Sequence, residues 1–259
     1  MNMQVENRGR VLREHFGIAA ASGQYVIALA GNPNVGKSTV FNALTGLCQH
    51  TGNWPGKTVD NAQGTFTYQK KPFLLVDLPG TYSILAHTVE EQVARDFICF
   101  GQPDATLVVL DATCLERNLN LALQVMEITP HVVVCVNLMD EARKKKIAID
   151  VPALEKELGV PVVATAARRG EGLDTLRETL YQVSTGVRKS KPRQLVYSPA
   201  VEKAVEHLIP TVQRLIDHKL NPRWVALRLL DGDRAFIESI SRHLELQLNP
   251  KALQEVAAL

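Results

Sequence analysis

The stretch Gly31–Thr45, GNPNVGKSTVFNALT, decides how this chain folds. Its first eight residues, Gly31, Asn32, Pro33, Asn34, Val35, Gly36, Lys37 and Ser38, fit the pattern G-x-x-x-x-G-K-[ST]. The run Tyr25–Ala30 before it is rich in β-formers, and Ser38–Thr45 after it reads as a helix. A strand, a glycine-rich turn and a helix, in that order, is the setting such a loop needs. Glycines let the backbone curl so that its N–H groups face a phosphate, and the helix N-terminus adds partial positive charge. Lys37 is then placed to reach β- and γ-phosphates, and the Ser38 hydroxyl to ligate Mg²⁺. An incidental glycine-rich turn would have no reason to carry Lys and Ser directly after its second glycine.

Outward from this loop, strand and helix signals alternate from Gln24 to about Gly186. Gln49–Asp60, rich in Gly, Asn and Pro, reads as a loop. Gly64–Gln69 alternates and pairs with Phe73–Val76 across Lys70-Lys71-Pro72. Thr88–Cys99 and Leu115–Glu127 read as helices, and Ala105–Leu110 and His131–Val136 as buried strands. Val151–Leu158 is a helix stopped by Gly159, Val160–Ala164 a strand and Leu173–Val183 the following helix. Continuous apolar strands separated by helices predict an α/β fold with a mostly parallel sheet covered on both faces.

The pattern changes after Gly186. The basic stretch 187–197, which opens VRKSKPRQ, reads as a linker. From Ser198 to Leu259 no buried strand is evident. Val201, Val205, Leu208, Val212, Leu215 and Ile216 lay one apolar stripe along a helix. Ser198-Pro199, Asn221-Pro222 and Asn249-Pro250 each place a capping side chain before a proline at the first helical position. A small all-helical domain of about four helices, 198–259, is therefore expected after a domain spanning 24–186. Residues 1–23 read as a loosely ordered leader or a short helix.

Composition sets bounds on function. The chain has 259 residues, 46% hydrophobic and 22% charged, with a net charge of +2, which does not suggest a strongly basic nucleic-acid binder. No apolar run approaches the roughly 18 residues that span a bilayer. Cys48, Cys99, Cys114 and Cys135 form no C-x-x-C pair and read as small core residues.

Three later segments choose the nucleotide. Asp77-Leu78-Pro79-Gly80 follows the strand Phe73–Val76; an Asp at a strand end can hold Mg²⁺ through water, and Gly80 can offer its N–H to a γ-phosphate. Asn137-Leu138-Met139-Asp140 ends the strand His131–Val136. A carboxylate there can accept hydrogen bonds from the N1–H and 2-amino group of guanine. Adenine lacks both donors, so Asp140 would be left unpaired against it. Thr165-Ala166-Ala167 ends the next strand, where a backbone N–H can meet guanine O6. Each tetrapeptide is common by itself. In this order, at these strand ends, they point to GTP and GDP.

The ordered set resembles the GTPase branch of P-loop proteins. More narrowly it resembles the cytosolic part of the ferrous iron transport protein B family, on Gly31–Thr45, on Thr51–Thr58 (TGNWPGKT) and on Asp77–Ser83 (DLPGTYS), with Leu138 inside 137–140 pointing the same way. The likeness is close over about 25–186 and looser into the helical segment.

That resemblance implies a GTP hydrolase whose nucleotide contacts run through Thr39 and include the first switch, Gly56-Lys57-Thr58. Thr58 would bind Mg²⁺ and the γ-phosphate only in the triphosphate state; taken alone, it is an ordinary strand-edge threonine. The position after D-x-x-G, where many GTPases carry a glutamine, is Thr81, followed by Tyr82. Neither replaces that glutamine chemically, so slow hydrolysis is expected. The resemblance further implies K⁺, held by Asn34 and by backbone carbonyls near Gly52 and Trp54; read by itself, Asn34 is also a good turn residue. Catalysis would rest on Lys37, Thr58 and Asn34. Leu138 stands where a lysine is commoner, which implies modest affinity and fast nucleotide release; Ala166 stands where a serine is commoner, which costs one loop-stabilising hydrogen bond, the guanine contact coming from backbone at Ala167. The helical domain would act as a dissociation-inhibitor-like element, and a membrane portion of the same longer protein, carrying ferrous iron across the inner membrane, would be its partner. Self-association is left open.

Other features are weaker. Arg143-Lys144-Lys145-Lys146 reads as a solvated helix face, with a nucleic-acid or lipid contact as the alternative. The basic linker faces either solvent or anionic lipid. His207, His218 and His243 lack metal-ligand spacing. The competing function is a soluble GTPase of ribosome assembly or RNA binding. Against it, Glu202, Glu206, Asp217, Asp231, Glu238 and Glu245 are scattered among the bases of the helical segment.

Overall fold

The computed structural model describes residues 13–46, 49–85, 88–216 and 220–243. The chain divides into two compact units, Met1–Arg193 and Gln194–Leu259.

The first unit is built on a seven-stranded sheet of order β2-β3-β4-β1-β5-β6-β7. Its strands are β1 (Tyr25–Gly31), β2 (Gln49–Asn53), β3 (Asp60–Tyr68), β4 (Lys71–Asp77), β5 (Ala105–Asp111), β6 (Val132–Asn137) and β7 (Val162–Ala164). Its helices are α1 (Lys37–Thr45), α2 (Val89–Phe100), α3 (Leu115–Ile128), α4 (Met139–Lys144), α5 (Val151–Leu158) and α6 (Leu173–Ser184). Strands β4, β1, β5, β6 and β7 run parallel, and β2 and β3 antiparallel to their neighbours. Burial of both sheet faces explains why β1, β5 and β6 read as unbroken apolar runs. Gly64 of β3 is glycine for a steric reason: a Cβ there would come within 2.7 Å of the Thr45 side chain and 2.9 Å of Phe41, so its absence lets α1 pack on the sheet.

Some expectations need correction. Gln49–Asn53 is not loop but an edge strand, paired antiparallel with Asp60–Gly64. The β3–β4 turn is tighter than expected: Gln69 and Lys70 form it, both at positive φ. Cys99 and Cys135 are buried, but Cys114 is exposed, its thiol 3.3 Å from the Asp111 carboxylate; Cys48 lies outside the described residues. The leader is docked where it is described, with Phe16 and Ile18 buried; residues 1–12 lie outside. The start of the basic linker belongs to the first unit. Lys191 N and Arg193 N donate to the carbonyls of Gly159 and Leu158 at 3.0 and 2.8 Å, and Arg188 pairs with Glu155 at 2.6 Å. The run 143–146 is exposed.

The second unit contains α7 (Pro199–Ile216), α8 (Pro222–Leu230) and α9 (Arg234–His243) among the described residues. A fourth helix, Asn249-Pro250 and His218 lie outside them. Of the expected stripe, Val205, Leu208, Val212 and Ile216 are buried, and Val201 and Leu215 are half-buried. Asn221 caps α8, accepting from Arg223 N at 3.1 Å. Trp224 meets Phe236 edge-on, with centroids 4.5 Å apart.

Glu202 staples this unit. Arg223 donates to both of its oxygens, at 2.7 and 2.9 Å, and Tyr197 N donates at 2.8 Å. The Arg223 guanidinium, with help from that N–H, holds the Glu202 carboxyl at about 2, below its ordinary 4.5. A depressed carboxylate contributes stability above its unfolded value and loses it as pH falls through the folded one. The stability gap between wild type and Glu202→Gln should therefore close as pH drops from 4.5 toward 2, which denaturant melts at stepped pH would measure.

Candidate functional site

Parallel strands bring their C-terminal ends to one edge of the sheet. β1 lies between β4 and β5, so the direction of chain winding reverses there, and the crevice beyond its end is where α/β sheets bind ligands. The register places Leu29 beside Asp77, Gly31 beside Val109, Asp111 beside Asn137 and Val136 beside Ala164. All four sequence motifs thus reach a single edge.

The phosphate loop leads from β1 into α1. Gly36 caps α1 with φ 81° and no side-chain cap, leaving the first N–H groups of the helix free of side-chain partners. A Cβ on Gly36 would lie 2.5 Å from Asn137 Nδ2, so both conformation and space demand glycine. Asn34 is exposed and left-handed, with φ 67°. Asn32 is buried, and neither its amide oxygen nor its nitrogen has a partner. Lys37 Nζ donates to the Asp77 carboxylate and, at 2.7 Å, to the Leu78 carbonyl. Burial pushes the Asp77 carboxyl up, and Lys37 pulls it partly back. Ser38 and Thr39 are exposed at the mouth of the loop.

After β4, the backbone folds against the phosphate loop. Leu78 N donates to Leu29 O at 2.9 Å and Thr81 N to Gly31 O at 3.3 Å. A Cβ on Gly80 would stand 3.6 Å from Pro33. The Thr81 hydroxyl is committed to Ser83, both as donor to its carbonyl and as acceptor from its N–H. Tyr82 is exposed under the Arg117 guanidinium, 4.5 Å from its centroid. Gln124 of α3, unremarked in the sequence, accepts from Ser83 Oγ at 3.1 Å and Ile84 N at 2.9 Å and so pins this segment.

The segment at 137–140 is tied to both neighbouring loops by one side chain. Asn137, 1% exposed, donates from Nδ2 to Val35 O at 3.1 Å. Its Oδ1 accepts from Thr165 Oγ1 at 3.0 Å and Ala167 N at 3.1 Å. The Ala167 N–H expected to meet guanine O6 thus donates to Asn137 in this structure. Leu138 is half-buried at φ 61°, its Cδ2 next to Gly36. Met139 N donates to Thr165 O at 3.1 Å, and Ala166 N to Glu171 O at 3.1 Å. Asp140 is mostly buried and pairs with Arg169 Nε at 3.2 Å. Sequence reading missed Arg169, because a one-turn 3₁₀ helix at Ala167–Arg169 brings it back.

The proposed switch residues share no hydrogen bond with this cluster among the described residues. Trp54 O accepts from Lys57 N at 2.9 Å and Trp54 N donates to Val59 O at 2.9 Å, with Gly56 at φ 68°. Gly52 lies in the β2–β3 ladder opposite Asn61. Lys57 and Thr58 are exposed. Among the described residues no hydrogen bond or ion pair joins Thr58 to Ser38 or Asp77, or Asn34 to Gly52 or Trp54. No cluster of His, Cys, Asp and Glu with metal-holding geometry occurs among the described residues, and none of their helices is long and apolar enough to cross a membrane.

Comparison with known proteins gives the family and the fold. Residues 25–180 match the family model described as ferrous iron transport protein B, and residues 197–258 match that of the FeoB cytosolic helical domain. The chain is 39% identical over 212 residues to an Fe(2+) transport protein A/Fe(2+) transporter FeoB fusion protein of Porphyromonas gingivalis, covering 80% of this chain and 25% of that protein. It is 38% identical over 233 residues to the Fe(2+) transporter FeoB of Escherichia coli, covering 86% and 29%. The chain therefore spans under a third of the length of these relatives. Among solved structures, the apo cytosolic domain of the T. maritima FeoB iron transporter superposes with a TM-score of 0.77 at 35% identity, covering 91% of this chain and 96% of that one. A mutant S. thermophilus NFeoB bound to mGDP also gives 0.77, at 33% identity, covering 91% and 88%. With a P-loop GTPase fold and a helical unit each matched by its own model, this chain belongs to the FeoB family of ferrous iron transport proteins.

Proposed function

We propose that this chain binds and hydrolyses GTP as the cytosolic region of a ferrous iron transporter, on the cytoplasmic face of the inner membrane, with the membrane portion of the same longer protein as its partner. One observation carries the nucleotide reading: Asn137 bridges Val35 of the phosphate loop and Ala167 of the guanine-facing loop. The residues that would read the base and those that would cradle the phosphates are thereby built as one piece.

The donor set fits the expected groups. Ser38 offers an exposed hydroxyl, and Asp77 a largely buried carboxylate already paired with a cation, so both suit Mg²⁺, Ser38 directly and Asp77 through water. Bound there, Mg²⁺ would neutralise charge on the β- and γ-phosphates. Lys37 would exchange Asp77 and Leu78 for phosphate oxygens. The uncapped start of α1 would donate N–H groups to the β-phosphate. The orphaned Asn32 amide lies in the same loop. Asp140 would accept the N1–H and 2-amino group of guanine, Leu138 would pack where a lysine stem otherwise lies, and Gly80 would approach the γ-phosphate. Thr58 would reach Mg²⁺ only after its loop moves.

Hydrolysis would be slow, because the Thr81 hydroxyl is spent on Ser83 and Tyr82 is turned to Arg117. K⁺ would supply the missing positive charge at the phosphates, held by Asn34, which is exposed in the phosphate loop, and by the carbonyls near Gly52 and Trp54 once the first switch closes. The test is phosphate release from GTP in K⁺ and in Na⁺ at fixed ionic strength. K⁺ should be faster by about tenfold or more, the scale of one lost transition-state charge contact, and Asn34→Ala should erase the difference. Equal rates in wild type would remove K⁺ from the account.

A further inference from the structure

The family model matches from residue 25 onward, yet residues 13–18 before it are fastened to the GTPase unit at both ends of this short stretch. Arg13 donates to the carbonyls of Gly101 and Gln102, at 3.2 and 2.6 Å, and to the Asp104 carboxylate at 3.2 Å. Asp104 is itself held by Val26 N at 2.7 Å. At the other end Gln63 Nε2 of β3 donates to Gly17 O at 3.3 Å, and Gly17 backs onto Pro55.

Between these anchors Phe16 enters an aromatic nest. It meets Phe97 of α2 edge-on at 5.5 Å and Trp54 edge-on at 6.3 Å. Trp54 and Phe97 are 5.3 Å apart. Trp54 is 2% exposed, and its indole N–H has no partner. Burying such a donor is costly, and the aromatic contacts of this nest offset part of that cost. Trp54 is also the root of the Trp54–Val59 loop, closed by its own N–H and carbonyl. That loop carries Thr58, which is exposed and unjoined to Ser38 or Asp77.

We infer that residues 13–18 form a strap that holds the first switch by Trp54 with Thr58 away from the phosphate loop, and that Phe16 is a positioning residue opposing switch closure on a triphosphate. Contacts made in only one of two arrangements bias the equilibrium toward it. Removing Phe16 therefore favours the closed arrangement, which GTP selects and GDP does not. The inference rests on the reading of Thr58 as the switch threonine.

The experiment uses the full chain with Trp224→Phe, leaving Trp54 as the emitter of the two tryptophans. Affinities for GDP and for a non-hydrolysable GTP analogue are measured with Mg²⁺, alongside Trp54 emission. Phe16→Ala should tighten analogue binding about three- to tenfold, the scale of an aromatic pair. GDP binding should stay within about twofold, since both arrangements hold the diphosphate equally. Trp54 emission should shift red before any nucleotide is added. Phe16→Leu, which refills much of the nest, should return toward wild type. Arg13→Ala contacts neither Trp54 nor the nucleotide loops, and should act in the same direction; it carries the test if Phe16→Ala does not fold. Unchanged analogue affinity, or equal weakening of both nucleotides, overturns the strap. Thr58→Ala tests the underlying reading separately: if it leaves analogue affinity unaltered, the switch assignment fails whatever the Phe16 variants do.

Discussion

Asn137→Ala should weaken GDP binding about a hundredfold and destabilise the GTPase unit by about 3 kcal/mol. The amide makes hydrogen bonds to Val35 O, Thr165 Oγ1 and Ala167 N, all in a site shielded from water. Alanine leaves those partners buried, and each unmet group costs about 1–3 kcal/mol. The sum is smaller than three full penalties, because Cys135 Sγ lies 3.1 Å from Thr165 Oγ1 and offers it another partner. The larger consequence is positional. Without the bridge the phosphate loop and the Ala167 loop are no longer held in register, and a nucleotide must order both. Asn137→Asp is no remedy, since it places a carboxylate oxygen against the Val35 carbonyl. Thermal melts and GDP titration on the same samples measure the two effects. A variant that melts earlier but binds GDP as wild type would show the bridge to be purely structural.

Asp140→Asn should exchange base preference, lowering GDP affinity by about two orders of magnitude and raising that for XDP by a similar factor. Guanine presents donors at N1 and at its 2-amino group. Xanthine keeps N1–H but carries an oxygen at C2. A carboxylate matches two donors, whereas an amide of the same shape matches one donor and one acceptor. The substitution also removes the pair with Arg169, a half-exposed guanidinium whose ion pair is worth little in stability. Loss of GDP binding without a gain in XDP binding would mean that Asp140 acts on the fold of its loop. Competition titration with the two diphosphates measures this.

The sequence made the candidate site legible because its chemistry is local. A phosphate loop needs its glycines, lysine and serine in one short run, and the Asp77, Asn137 and Ala167 segments each end an apolar strand that announces itself. What escaped notice was made by distant pairing. Gln49–Asn53 has no apolar alternation and a single β-branched residue, Thr51, and is a strand because β3 supplies a ladder. Gln124 reads as one polar position on α3, yet its carbonyl holds the segment after Gly80. Phe16 lies in a leader whose preceding residues are mostly charged or polar, and nothing nearby predicts that Trp54 and Phe97 receive it. Arg169 reaches Asp140 through a 3₁₀ turn too short to leave a periodic pattern. In the helical unit the opposite held: the stripe on α7 and the Asn221-Pro222 cap were both visible, because helix faces and caps repeat at fixed spacing.

On the proposed reading, this sheet edge selects guanine and holds its phosphates as one unit. Its most direct measurement is titration of the wild-type chain with GDP and with ADP in Mg²⁺. GDP should bind about a hundredfold tighter or more, because Asp140 finds two donors on guanine and none on adenine. Equal affinities, or a preference for ADP, would contradict it.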